Sequence, residues 1–305
     1  MSGPDVKSRV ACGAARRPKP TQLPRRIGDW ELLELAGGGT LTEVYRARPA
    51  EAGGDQPAPY AVKVLRPEWQ QDPRATDVLR REALVGRTVG HPHLVAILAA
   101  HTAQPPYLLV MPWLAGQTLL QWLTGHGPRE LPVMLWIARQ VAEALDALDA
   151  AGWMHADVKP SNVFLSPEGH VTLLDLGFAR RADEIGSAVD RCVVGTGNYI
   201  APEMITSALR PDIRSDVYSL GVVLFEMLSG RLPYEGKDLA ELATQHKQAR
   251  PPDLRRLVPH LPKGVIRLIQ EMLAKEPLRR PQSPAELIER LVELEIGSFA
   301  ERLLD

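Results

Sequence analysis

Asp157, Lys159 and Asn162 form a compact polar set within His155-Ala156-Asp157-Val158-Lys159-Pro160-Ser161-Asn162. A carboxylate there can take a proton from a hydroxyl nucleophile, a lysine can hold a transferring phosphoryl group, and an amide carbonyl can ligate a hard cation. A Ser166-Pro167-Glu168-Gly169 turn follows, and then Val171-Thr172-Leu173-Leu174-Asp175-Leu176-Gly177, which reads as a hairpin ending in a second acid. Lys63 lies between Val62 and Val64, so it must point to the less buried face of its strand or find an anion. The triplet Gly37-Gly38-Gly39 suits a hairpin turn, and equally a loop whose amides approach phosphate where no Cβ intervenes.

These residues need a scaffold, and the hydrophobic pattern supplies one. Trp30 to Leu35, Val44 to Ala47, Tyr60 to Leu65, His91 to Leu98 and Tyr107 to Met111 read as five strands, with one charged helix, Arg74 to Val89, carrying Glu82. Beyond Pro112 the pattern becomes helical. Leu135, Ala138, Val141, Ala142, Leu145 and Leu148 recur at helical spacing in Met134 to Ala150. Ser215 to Leu228 is a very apolar helix closed by Gly230, and Gly264 to Leu273 and Pro284 to Leu294 are amphipathic. The expected fold class is α+β: a small β-rich lobe with one helix, about residues 29–112, joined to a larger, mainly helical lobe, about 113–305. Residues 1–28 read as a basic, proline-containing disordered tail.

Composition narrows the class. A chain of 305 residues with 45% hydrophobic content can bury a large core. The formal net charge of -1 provides no global field for nucleic acid or a membrane surface. Cys12 and Cys192 form no metal or disulfide framework, and no apolar run reaches the ~18 residues of a membrane span. The expectation is a soluble, cytoplasmic protein with no nucleic-acid partner, no membrane span and an open oligomeric state.

The stretch from about Trp30 to about Leu294 resembles the catalytic domain of the eukaryotic-like, bacterial-type serine/threonine protein kinases. His155 to Asn162 is similar to H-R-D-L-x-x-x-N, Asp175-Leu176-Gly177 to D-F-G, Ala61-Val62-Lys63 to V-A-I-K, and Gly37 to Val44 to G-x-G-x-x-G-x-V. The resemblance implies the protein-kinase-like two-lobe fold and γ-phosphate transfer from ATP, with Mg²⁺, to Ser/Thr hydroxyls of protein substrates. Asp157 would then orient the hydroxyl and accept its proton, Lys159 would neutralise the γ-phosphate, and Asn162 and Asp175 would bind Mg²⁺. Lys63, paired with Glu82, would contact the α- and β-phosphates. Gly37 and Gly39 would cover the phosphates. Val44, Ala61 and Phe164 would sandwich the adenine. Met111 would be the gatekeeper, with Pro112 and Leu114 offering a hinge carbonyl and amide. His155 would be structural, Gly177 would let its loop turn, Asp216 would stiffen the catalytic loop, and Glu203 would pair with Arg280. Gly195-Thr196-Gly197-Asn198-Tyr199 resembles G-T-P-x-Y, with Thr196 hydrogen-bonding toward Asp157 and Lys159.

Departures from the family pattern carry their own expectations. Thr42 stands at the third glycine and should weaken closure over the phosphates. Gly86 replaces a larger apolar residue, which suggests a loosely docked helix or a gap that a partner fills. Ala156 replaces the arginine that grips an activation-segment phosphate, and Ser187 is the only hydroxyl residue between Gly177 and Gly195. Independence from activation-segment phosphorylation follows. The alternative reading is a nucleotide-binding pseudokinase or scaffold module.

Overall fold

The computed structural model describes residues 25–52, 56–125, 130–181, 184, 197–205 and 210–302. Its first part is a six-stranded antiparallel sheet in the order β1-β2-β3-β4-β6-β5. The strands are β1 (Arg25–Ile27), β2 (Trp30–Gly38), β3 (Thr42–Pro49), β4 (Tyr60–Leu65), β5 (Ala99–His101) and β6 (Leu108–Pro112). Alternation gives the sheet two apolar faces. Tyr45, Ala47, Val62, Val64, Leu108 and Val110 pack together on one. Val44 faces Lys63 across the β3–β4 ladder, and Ala61 faces Met111 across the β4–β6 ladder. These four therefore share the opposite face, and Ala61 and Met111 join the main core there. That core continues through Leu94 and Val95 into the second lobe.

Two differences from the sequence expectation concern this sheet. It begins at Arg25, inside the stretch read as tail: β1 pairs with β2 from Arg25↔Leu32 to Ile27↔Trp30, and the Arg25 guanidinium lies 5.0 Å from the Tyr45 ring centroid. Secondly, His91–Leu98 is not a sheet strand. Leu173 N–H donates to the His93 carbonyl at 2.8 Å and Val95 N–H donates to the Leu173 carbonyl at 3.1 Å. Its first half thus bonds the large lobe, whereas Ile97 N–H donates to the Gly86 carbonyl and Leu98 N–H to the Val110 carbonyl of β6, and the paired ladder with β6 begins at Ala99.

Helix α1 (Pro73–Thr88) starts where the Asp72 carboxylate accepts from Arg74 N–H at 2.9 Å and Pro73 presets the first turn. In the large lobe, α2 (Leu119–Thr124) opens with a capping box of Thr118 and Gln121. Helix α3 (Leu131–Ala150) buries the expected apolar stripe. A small sheet of β7 (Gln117–Thr118), β8 (Val163–Leu165) and β9 (Val171–Leu173) carries the catalytic stretch and the second acid. One-turn helix α4 (Pro202–Ile205) precedes α5 (Ile213–Ser229), which runs from an Asp212 cap to Gly230 at φ 71°. The fold closes with α6 (Leu239–Gln248), α7 (Leu254–Leu257), α8 (Lys263–Met272) and α9 (Pro284–Arg302). No described helix is long and apolar enough to cross a membrane.

Candidate active site

The crevice between the lobes is built from β4, α1 and the β8–β9 hairpin. Lys63 is buried on β4, and its Nζ lies 2.6 Å from Glu82 Oε2 on α1 and 3.1 Å from Asp175 Oδ1 after β9. Burial would discharge this ammonium, but the Asp175 and Glu82 carboxylates outweigh it and hold Lys63 well above the usual lysine value. Burial also pushes Glu82 up to about 7, against the pull of Lys63. Burial acts on Asp175 in the same sense, yet Lys63 and Lys159 bring it below the usual carboxylate range, so it stays an anion. The arrangement is a cation on a rigid strand aimed at whatever anion enters.

Below it, Lys159 Nζ lies 2.7 Å from Asp157 Oδ2, and Asn162 Nδ2 donates to the same oxygen and to the Asp157 carbonyl, both at 2.9 Å. Spending its NH₂ group on Asp157 leaves Asn162 its carbonyl oxygen. Burial raises Asp157 to about 6, with Lys159 working against the shift. That value suits a base near neutrality. With Asp175, Asn162 makes a two-oxygen donor set fit for a small hard cation that keeps waters and phosphate oxygens as its other ligands.

The loop under these groups is fixed from below. Asp216, in the first turn of α5, accepts from His155 N–H at 2.6 Å and Ala156 N–H at 2.7 Å. The two bonds hold Ala156 at φ 67°, a left-handed conformation that costs an alanine about 1 kcal/mol. His155 is fully buried, and burial drops it to about 4. Its neutral ring donates from Nε2 to the Leu174 carbonyl at 3.0 Å and accepts Asp157 N–H at Nδ1, 3.2 Å. The catalytic stretch and the second acid are thus tied through one imidazole. Further down, Arg280 makes a buried two-pronged pair with Glu203, at 2.6 and 2.8 Å.

The remaining candidate residues gather on the crevice wall. Gly37 and Gly39 stand at the β2–β3 turn, Val44 and Ala61 on the Lys63 face, and Met111 and Pro112 end β6, with Leu114 just beyond. Phe164 is half-buried on β8. Three readings change. A Cβ at Gly86 would come within 2.4 Å of Ile97 Cγ1, so Ile97 fills the space expected to be a gap. Gly177 does not supply the turn: Asp175 does, at φ 63°, while a Cβ on Gly177 would meet Val78 Cγ1 at 2.6 Å, making Gly177 the close contact with α1. At the hairpin the tight spot is Gly38, where a Cβ would lie 2.7 Å from the Thr42 carbonyl. Ser187, Gly195 and Thr196 lie outside the described residues.

The family described as Protein kinase domain matches residues 30–291. The chain belongs to that family. Among bacterial relatives, this kinase domain is 30% identical over 266 residues to the serine/threonine-protein kinase PrkC of Bacillus subtilis, covering 87% of the chain and 40% of that protein. It is 34% identical over 282 residues to the serine/threonine-protein kinase PknB of Mycolicibacterium smegmatis, covering 90% and 44%. Against the serine/threonine-protein kinase pkn2 of Myxococcus xanthus it is 34% identical over 272 residues, covering 87% and 32%. The chain thus spans less than half the length of these relatives. Family membership implies ATP and a divalent cation.

Sequence reasoning missed several contributors to this kinase site. Arg81, directly before Glu82, donates to the Ala179 carbonyl at 3.0 Å and pairs with Glu184. Arg66 and Trp69 bond the glycine-rich turn. The left-handed Ala156 was likewise unforeseen. None of them has a local signal: the left-handed turn at Ala156 comes from the bonds that His155 and Ala156 N–H make to distant Asp216.

Proposed function

We propose that the chain transfers the γ-phosphate of ATP to serine or threonine hydroxyls of protein substrates. The observation that carries the proposal is the convergence of Lys63, Glu82 and Asp175 from three separate elements above the Asp157, Lys159 and Asn162 set. Lys63 holds the α- and β-phosphates, oriented by Glu82. Asp157 receives the hydroxyl proton, and Lys159 offsets charge on the moving phosphoryl group. Mg²⁺, held by Asn162 and Asp175, supplies charge neutralisation across the phosphates when bound. Val44, Ala61 and Phe164 enclose the adenine, next to the Met111–Leu114 hinge. Transfer from labelled ATP to a generic protein, lost in Asp157→Asn, tests this reading. Equal background signal from both proteins would leave a nucleotide-binding module without turnover.

The proposal extends to regulation: activity does not require a phosphate on the activation segment. Ala156 offers no cation to hold one, and Arg81 on α1 is already engaged by Glu184 and the Ala179 carbonyl. Phosphatase-treated protein is therefore expected to keep its activity. Loss of activity on that treatment, restored by rephosphorylating Ser187, would overturn this part alone.

A further inference from the structure

The tip of the β2–β3 hairpin is held from outside the crevice. Three successive carbonyls there are bonded from one side: Gly39 accepts from Arg66 Nε at 3.0 Å, Thr40 from Trp69 Nε1 at 2.9 Å, and Leu41 from the Arg66 backbone N–H at 2.9 Å. The two donors are themselves fixed. Arg66 Nη1 lies 2.9 Å from Glu43 Oε1, and Glu43 Oε2 accepts the Tyr45 hydroxyl at 2.7 Å. Trp69 packs against the core and its backbone N–H donates to the Arg66 carbonyl at 3.0 Å.

In a trans peptide the carbonyl and the next residue's N–H point in opposite directions. Pinning those three carbonyls toward Arg66 and Trp69 therefore turns the amides of Thr40, Leu41 and Thr42 away from them. Residues 39–42 line a cavity of about 80 Å³ together with Lys63, Glu82 and Asp175, and neither Arg66 nor Trp69 lines it. We propose that Arg66 and Trp69 are positioning residues that hold the hairpin tip with its amides presented to the nucleotide's phosphates. The clamp serves a loop whose three adjacent glycines are loose and whose Thr42 adds a stiff branched side chain. Its donors fix the tip before ligand arrives, so less ordering accompanies phosphate binding. The inference rests on the nucleotide reading given above.

Trp69→Phe keeps the ring in the core and deletes only the Nε1–H donor; Arg66→Lys keeps a cation beside Glu43 and deletes the fork. Binding of ATP and of adenosine, which lacks phosphates, is measured directly for each variant of the 305-residue chain, with Mg²⁺ present. Each lost bond is expected to weaken ATP by about fivefold, and the double variant by roughly 25-fold, with adenosine affinity and Tm unchanged. A parallel fall for ATP and adenosine, or a fall in Tm with ATP affinity intact, would show a merely structural clamp and overturn the proposal. Wild type binding ATP, with both variants binding it equally well, also overturns it alone. Wild type binding neither ligand overturns the nucleotide reading with it.

Discussion

Replacing Gly86 by alanine separates packing from propensity. In an open helix interior this change stabilises by about 1 kcal/mol. Here the new Cβ would sit 2.4 Å from Ile97 Cγ1 and 3.4 Å from Ile97 Cβ. Ile97 cannot step aside easily: it is buried, its χ1 is stiff, and its N–H donates to the Gly86 carbonyl at 3.3 Å. Overpacking of this kind costs about 1–3 kcal/mol, so Gly86→Ala is expected to destabilise by a net ~1 kcal/mol. Ile97→Ala alone should cost about 3 kcal/mol through its cavity. The double variant should cost less than the sum by about 1.5 kcal/mol, because the new methyl enters the vacated space. Urea unfolding of the four proteins gives the coupling term. Because Glu82 lies one turn earlier on α1, kcat/KM of Gly86→Ala should also fall by roughly tenfold. Stabilisation by the full propensity value, or additivity within about 0.4 kcal/mol, would refute the packing argument.

Four further outcomes are expected. Lys63→Met should lose about a thousandfold or more in kcat/KM with an unchanged circular dichroism spectrum; activity within tenfold of wild type would contradict the phosphate-anchor assignment. Arg280→Met strands the buried Glu203 carboxylate and should destabilise by about 3–5 kcal/mol, lowering Tm by roughly 10 °C in a thermal melt. Asp157 must be ionised to accept a proton and is raised to about 6, and Glu82, whose anion orients Lys63, to about 7, so kcat/KM should be level above about pH 7 and fall below it by about tenfold per unit or more. A profile flat to pH 5 would remove Asp157 from that role. Ala156→Gly relieves the left-handed strain at φ 67° and should leave stability equal or up to ~1 kcal/mol higher; a clear loss in a denaturant titration would show that the alanine methyl packs usefully.

The polar chemistry was legible because its residues recur at short fixed spacings and sit between apolar runs, as Asp157, Lys159 and Asn162 do. Lys63 was legible for a related reason: an ammonium on an apolar strand demands an anion, and the structure provides two. Long-range decisions were not. Arg25–Ile27 reads as basic tail because nothing local shows β2 waiting to pair with it. His91–Leu98 has strand composition, but the partner of its middle, around Leu94, is Leu173, far along the chain. Gly86 reads as a missing side chain until Ile97 is seen in its place. The turn expected of Gly177 falls to Asp175 because one-dimensional motifs name which residues meet and not which of them bends.

The Leu94–Leu173 bridge has a mechanical corollary. The segment following α1 is moored to the large lobe through Leu173, so the C-terminal end of that helix is the fulcrum for any tilt of it. Glu82 sits about seven residues from that fulcrum, a lever arm of roughly 10 Å at 1.5 Å per residue. A tilt of about 10° therefore carries its carboxylate roughly 2 Å. Such a swing parts it from Lys63 Nζ, now 2.6 Å away, and must slide Val78 past the Gly177 backbone it touches.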